Sequence, residues 1–195
     1  KHLVNEPFAV INADDFYGYD TFRVLAQELS KPNLPKGSYF MVGFKLGKTL
    51  SEEGAVSRGV CTTDSQMLLQ NVVERTHIER IEGKVCYKDE NNNSVELNEN
   101  LQVSMNFWGF TPDFFGYTEK LMVDFFSGSI GNAKAEFYIP TVVNKSIQEK
   151  IATCKVLSTN AEWFGVTYPG DKPLVIERLS KLIKAGEYPS PLWKR

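Results

Sequence analysis

The chain has 195 residues, 42% of them hydrophobic and 24% charged, which is the make-up of an ordinary globular domain with room for a sizeable core. A formal net charge of −2 supplies no basic footprint for nucleic acid. No apolar run is long enough to span a membrane. Cys61, Cys86 and Cys154 are odd in number and scattered, which argues against a disulfide framework and fits a reducing, cytoplasmic setting. His2 and His77 form no spacing that suggests a zinc site or a catalytic triad.

The first informative stretch is Pro7 to Gly18, PFAVINADDFYG. The apolar run Phe8 to Ile11, stopped by Asn12-Ala13 and the adjacent carboxylates Asp14 and Asp15, reads as a buried strand of a parallel sheet. In open α/β sheets ligands bind beyond the carboxyl ends of strands. A carboxylate there can hold a hard cation through oxygen, and the cation can hold phosphates. The same pair also suits an Asx-turn or a helix cap.

Asp20 to Ser30 reads as a helix with Asp20 at its N-cap and Phe22, Leu25 and Leu29 at helical spacing; the run from Lys31 to Pro35 ends it. Ser38 to Phe44 is an apolar strand, and Lys45 to Ala55 a glycine-containing loop. Val56 to Thr63 and Met67 to Glu74 read as a hairpin around Thr63-Asp64-Ser65. Lys84 to Lys88 and Ser94 to Leu97 flank a polar turn at Asp89 to Asn93. Gln102 to Phe110, QVSMNFWGF, is an aromatic-rich strand with a polar Asn106 in its middle. Asp113 to Ser127 has helical periodicity and ends at Gly128 and Gly131. A helix follows Pro140. Thr153 to Leu157 and Glu162 to Val166 read as strands. Lys172 to Ala185 is a helix with Pro173 in its first turn, closed by Gly186. The fold class expected from this order is α/β: a mixed, mainly parallel central sheet with flanking helices and antiparallel hairpin additions.

VINADDFYG resembles the metal-site strand of nucleotidyltransferases with the sugar-nucleotide pyrophosphorylase fold, in which a hydrophobic strand ends in a small residue and a magnesium-binding Asp. The matching residue is Asp14, and Asp15 stands in the more variable next position. The resemblance extends weakly along the chain. In that family a Gly after a strand lets the backbone approach the sugar, and a Glu about one hairpin later bonds sugar hydroxyls; Gly59 and Glu74 fall on those positions. The chemistry is sound, because sugar hydroxyls want carboxylate acceptors and Gly permits close approach. The family's Glu is commonly followed by Lys, where this chain has Arg75, a fork suited to phosphate. A solvated hairpin is the other reading of Glu74 and Arg75. Arg58 and Lys45 are lone basic residues that could meet a sugar phosphate or simply be solvated. Asn106 either faces the substrate or satisfies neighbouring backbone. The family's second metal Asp aligns with Gly165 in WFGVTYPGD, and glycine has no side chain to ligate with. The nearest acids are Glu162 and Asp171; Asp171 either caps the helix that follows or joins a magnesium ion held partly by nucleotide phosphates.

The resemblance implies a nucleotidyltransferase that moves a nucleotidyl group from a nucleoside triphosphate to a sugar-1-phosphate or similar phosphorylated acceptor, releasing pyrophosphate, with Mg2+ at Asp14. Its small-molecule partners would be the triphosphate and the acceptor, with no nucleic acid and no membrane. A non-catalytic nucleotide- or sugar-binding domain of the same fold, or a glycosyltransferase using a nucleotide-sugar donor, are the alternatives. The family's Gly-rich nucleotide loop lies upstream of its metal Asp and has no match here. The chain is therefore expected to be a single domain, the C-terminal part of a longer nucleotidyltransferase. A strand edge vacated by the upstream part would allow homo-oligomeric association.

Overall fold

The computed structural model describes residues 2–166 and 168–191. In chain order the elements are β1 (Phe8–Val10), α1 (Tyr19–Leu29), β2 (Ser38–Lys45), a 3-10 turn (Leu46–Lys48), β3 (Val56–Thr63), β4 (Leu69–Ile81), β5 (Lys84–Lys88), β6 (Ser94–Leu97), β7 (Gln102–Phe110), α2 (Phe114–Gly128), α3 (Ile139–Gln148), β8 (Thr153–Ser158) and α4 (Asp171–Lys184). Among the described residues the strands form one sheet in the order β6-β5-β4-β3-β7-β2-β8, with β1 also paired to β7.

The mainly parallel sheet expected from the sequence is not what forms. Only β2 and β8 pair in parallel among the described strands; every other pairing, including that of β1 with β7, is antiparallel. The sheet is mixed and predominantly antiparallel. Continuous apolar runs suggest buried parallel strands, but they carry no information on direction, and β1 is not buried either: Phe8 and Val10 are half-buried and Ala9 is exposed. β2 is buried along nearly its whole length beside one parallel and one antiparallel neighbour. The short turns from β3 to β6 make the outer half of the sheet a run of hairpins.

Alternation along β2 and β7 divides the core between two faces. Phe40, Val42, Phe44, Met105 and Phe107 pack on one face with Tyr17 and Leu25, under α1. Tyr39, Met41, Trp108 and Phe110 pack on the other with Phe114, Leu121, Val142 and Val143, under α2 and α3. Gly109 lets α1 approach closely, since a Cβ there would stand 2.6 Å from Leu25 Cδ1.

Other expectations shift locally. Gly18, at φ 72°, is the N-cap of α1. Asp20 sits in the first turn instead, and its carboxylate accepts from Thr159 Oγ1, the Asn160 N–H and Arg23, tying α1 to the loop after β8. The Asn160 amide, helped by Arg23 and Thr159 against the cost of burial, holds the Asp20 carboxyl below its usual range. Residues 162–166 form no strand; Phe164 makes one isolated antiparallel bridge to Phe16, with the two rings stacked at 4.3 Å. The strand expected over Met67 to Glu74 runs on to Ile81. No helix among the described residues is long and apolar enough to cross a membrane.

Candidate functional site

β1 and β3 lie along the same side of β7, one after the other. β3 pairs with Val103 and Ser104, and β1 with Trp108 to Phe110, so residues 105–107 of β7 face a gap between the two strands. β7 also shifts register against β2 here, and Asn106 sits at φ 59°. Asn tolerates this left-handed conformation better than most residues, and a bulge of this kind re-aims side chains. The Tyr17 hydroxyl reaches into the gap, 2.7 Å from the Met105 carbonyl oxygen.

A cavity of about 240 Å³ opens at this gap, and Asp15, Arg58, Gly59, Glu74 and Asn106 line it with Ser104. Residues far apart in sequence are thus brought together. Gly59 is paired with Glu74 on one side and Ser104 on the other. A Cβ at Gly59 would stand 3.0 Å from Val72 Cγ2 and 3.2 Å from Ser104 Cβ, so the glycine keeps the floor open. Glu74 follows Val72 on the same strand face. Its carboxylate has no hydrogen-bond partner among the described residues; partial burial raises its pKa and the charge of Arg58 opposes the rise.

Of the two strand-end carboxylates, Asp15 faces the cavity and Asp14 lies exposed on the turn. Asp15 Oδ2 accepts from Asn12 Nδ2 at 2.9 Å and lies 3.2 Å from the Tyr17 hydroxyl. Burial, then the charge of Asp15, pushes the Tyr17 phenol well above its usual pKa, so Tyr17 stays a hydrogen-bond donor. Oδ1 faces Gly165, whose missing side chain makes the space for it: a Cβ there would be 2.6 Å away. The Phe16–Phe164 bridge is what holds Gly165 against Asp15.

Arg58 is 8% exposed. Its guanidinium donates to the Thr49 carbonyl through Nε (3.1 Å) and Nη2, and to the Ser57 carbonyl through Nη1 (2.7 Å), and it stacks 4.9 Å from the centroid of Trp163. It fastens the loop before β3 to the site. Burial depresses its pKa to about 10, against the pull of Asp15 and Glu74, so it remains charged at neutral pH.

Arg58 and Trp163 also line a second cavity, of about 610 Å³, between the loop at 47–54 and α4. Asp171 belongs there, accepting from Ser51 Oγ at 2.9 Å and the Tyr168 N–H at 2.8 Å. Lys45 is exposed and lines neither cavity, and Arg75 lies 4.7 Å over the Tyr87 ring, also outside both. Sequence reasoning passed over Asn12, Ser104 and Pro140, which complete the smaller cavity. The spacing of Asn12 to Asp15 and of Ser104 to Asn106 was the available signal. Nothing local marks Pro140, which α3 delivers.

No group of three or more His, Cys, Asp or Glu side chains that could hold a metal ion occurs among the described residues. The cavity holds two carboxylates, Asp15, with Oδ2 engaged and Oδ1 against Gly165, and Glu74. So small a set suits only an ion that takes its remaining ligands from phosphates and water and not one caged by protein.

No protein-family model matches the chain, and no curated protein matches it in sequence. Solved structures do. The inositol-1-phosphate CTP transferase from T. maritima superposes with a TM-score of 0.50 at 13% identity, covering 92% of this chain and 57% of that one. The CTP:phosphocholine cytidylyltransferase from Streptococcus pneumoniae gives 0.47 at 12% identity, covering 88% and 57%. At this identity the first of these shows a shared fold alone, and the chain spans a little over half the length of each matched chain.

Proposed function

We propose that the chain is the acceptor-binding part of a nucleotidyltransferase, which transfers a nucleotidyl group from a nucleoside triphosphate to a sugar-1-phosphate or similar phosphorylated acceptor and releases pyrophosphate. The observation that carries this reading is the meeting of Arg58, Gly59, Glu74 and Asn106 with the strand-end carboxylate Asp15 in one cavity. Glu74 and Asn106 are hydrogen-bonding groups for acceptor hydroxyls, and Gly59 lets the acceptor lie against the sheet. Arg58 sets one positive charge beside the carboxylates Asp15 and Glu74, so the acceptor phosphate would be met by Arg58 together with a bound cation. Such transfer depends on in-line positioning and neutralised charge more than on an acid–base residue.

Magnesium belongs to this reading. The Asp14-Asp15 turn would hold it, with the Asp15 carboxylate on the cavity side, and a bound Mg2+ would offset phosphate charge during transfer. Asp171 would join only by giving up its bonds to Ser51 and Tyr168. A binding domain without catalysis is the second reading, favoured by Gly165 at the place of the family's second acid.

The test is pyrophosphate release from a panel of nucleoside triphosphates and sugar-1-phosphates, together with acceptor binding by calorimetry, on this chain and on a version extended upstream. Turnover that is lost in Asp15→Asn supports the enzyme. Acceptor binding without turnover by either version supports the binding domain, and no binding of any phosphate ester refutes both.

A further inference from the structure

Apart from Arg58, which it shares, and Asp171, the larger cavity has no part in the reading above. We propose that it receives a second, uncharged polyhydroxylated unit of the acceptor, so that the acceptor is a glycosyl-extended sugar phosphate and not a single sugar phosphate. This rests on the acceptor role of the smaller cavity.

Size is the first argument. The smaller cavity, at about 240 Å³, falls below the roughly 300–1,000 Å³ of ordinary small-molecule sites. The larger, at about 610 Å³, falls within it. Continuity is the second: Arg58 and Trp163 line both cavities, so a ligand seated in one and extending past these side chains enters the other.

Charge decides the chemistry of the extension. The larger cavity is lined by the cations Lys48, Arg58, Arg80 and Arg178. Against them stand the carboxylates Glu52, Glu53, Glu79 and Asp171. The balance leaves no net field for a second phosphate. Several of these groups are already engaged: Arg80 with Glu99 at 2.6 Å, Asp171 with Ser51 and Tyr168, and Arg58 with backbone carbonyls. The side chains of Lys48, Glu53 and Glu79 make no hydrogen bond among the described residues. They offer a donor and two acceptors to a ligand whose hydroxyls can do both. The rings of Trp163 and Phe164, with Leu50 and Leu174, line the same space and suit the C–H faces of a sugar ring.

The experiment is calorimetric titration of this chain with matched pairs of acceptors: glucose 1-phosphate against maltose 1-phosphate, and N-acetylglucosamine 1-phosphate against chitobiose 1-phosphate. In at least one pair the disaccharide phosphate should bind about tenfold or more tightly, the scale that a well-fitted extra group contributes. Lys48→Ala and Glu79→Gln, both exposed to the larger cavity alone, should erase that advantage and leave the monosaccharide Kd unchanged. Equal affinities within each pair, or an advantage that both variants retain, would overturn the inference and leave the function reading standing. Failure of every phosphate to bind would overturn both.

Discussion

Gly165 lies directly against Asp15: a Cβ built on the glycine would stand 2.6 Å from Asp15 Oδ1 and 3.1 Å from the Trp163 ring. The position at which the resemblance calls for a second acid is the position that leaves room for Asp15, the neighbour of the residue that matches the family's first. Gly165→Ala should therefore swing the Asp15 carboxylate off its present rotamer at a stability cost of about 1 kcal/mol, while weakening binding of magnesium–nucleotide as much as Asp15→Asn does. Titration of both variants alongside thermal melts checks this; an unchanged Kd in Gly165→Ala would show that the Asp15 carboxylate is not part of the site.

Glu74 gives a pH signature. Its folded pKa is raised by burial, so on raising the pH the unfolded chain releases this proton before the folded one. The stability tied to the group is complete below the ordinary Glu value of about 4.3 and is lost as pH rises through the raised one. Glu74 is exposed to solvent at the cavity, so the effect is small: Glu74→Gln should melt slightly higher than the parent near neutral pH, with the gain vanishing at about pH 4. Melts across a pH series read this directly, and a pH-independent difference would contradict it.

Arg58→Met should destabilise the fold by about 3 kcal/mol, because it strips the bonds to the Thr49 and Ser57 carbonyls and the stacking on Trp163. For a chain of this size that is a fall in Tm of roughly 6–12 °C. Arg58→Lys should recover only part of it, since an ammonium cannot reproduce a planar fork. Denaturant titration measures both.

Asn106 separates backbone from side chain. Asn106→Gly keeps the left-handed conformation available and should fold with a Tm close to the parent's, yet lose acceptor affinity. Asn106→Val forces a β-branched residue into that conformation and should cost about 1–3 kcal/mol. If Asn106→Gly binds acceptor as the parent does, the amide side chain has no role in the cavity.

The sequence by itself determined most of the elements, because periodicity and punctuation are local. The helices around Leu25, Leu121 and Leu179, the hairpin from Val56, and the aromatic strand through Trp108 all follow from spacing, caps and breakers. Asn106 stood out as a polar residue in the middle of an apolar strand and Arg58 as a lone basic residue, whereas Gly59 and Glu74 were singled out by the resemblance to nucleotidyltransferases and not by any local pattern. Strand direction was decided only by the tertiary structure. An apolar run looks the same in a parallel or an antiparallel neighbourhood, and β1 pairs antiparallel with β7, nearly a hundred residues later in the chain. The tertiary structure also decided which of two adjacent carboxylates meets the cavity. Asp14 and Asp15 are chemically alike, and the choice falls to Asp15 through local bonds to Asn12 and the Tyr17 hydroxyl together with two long-range contacts, the anchoring of Tyr17 on the Met105 carbonyl of β7 and the space left by Gly165, which only the packed fold supplies.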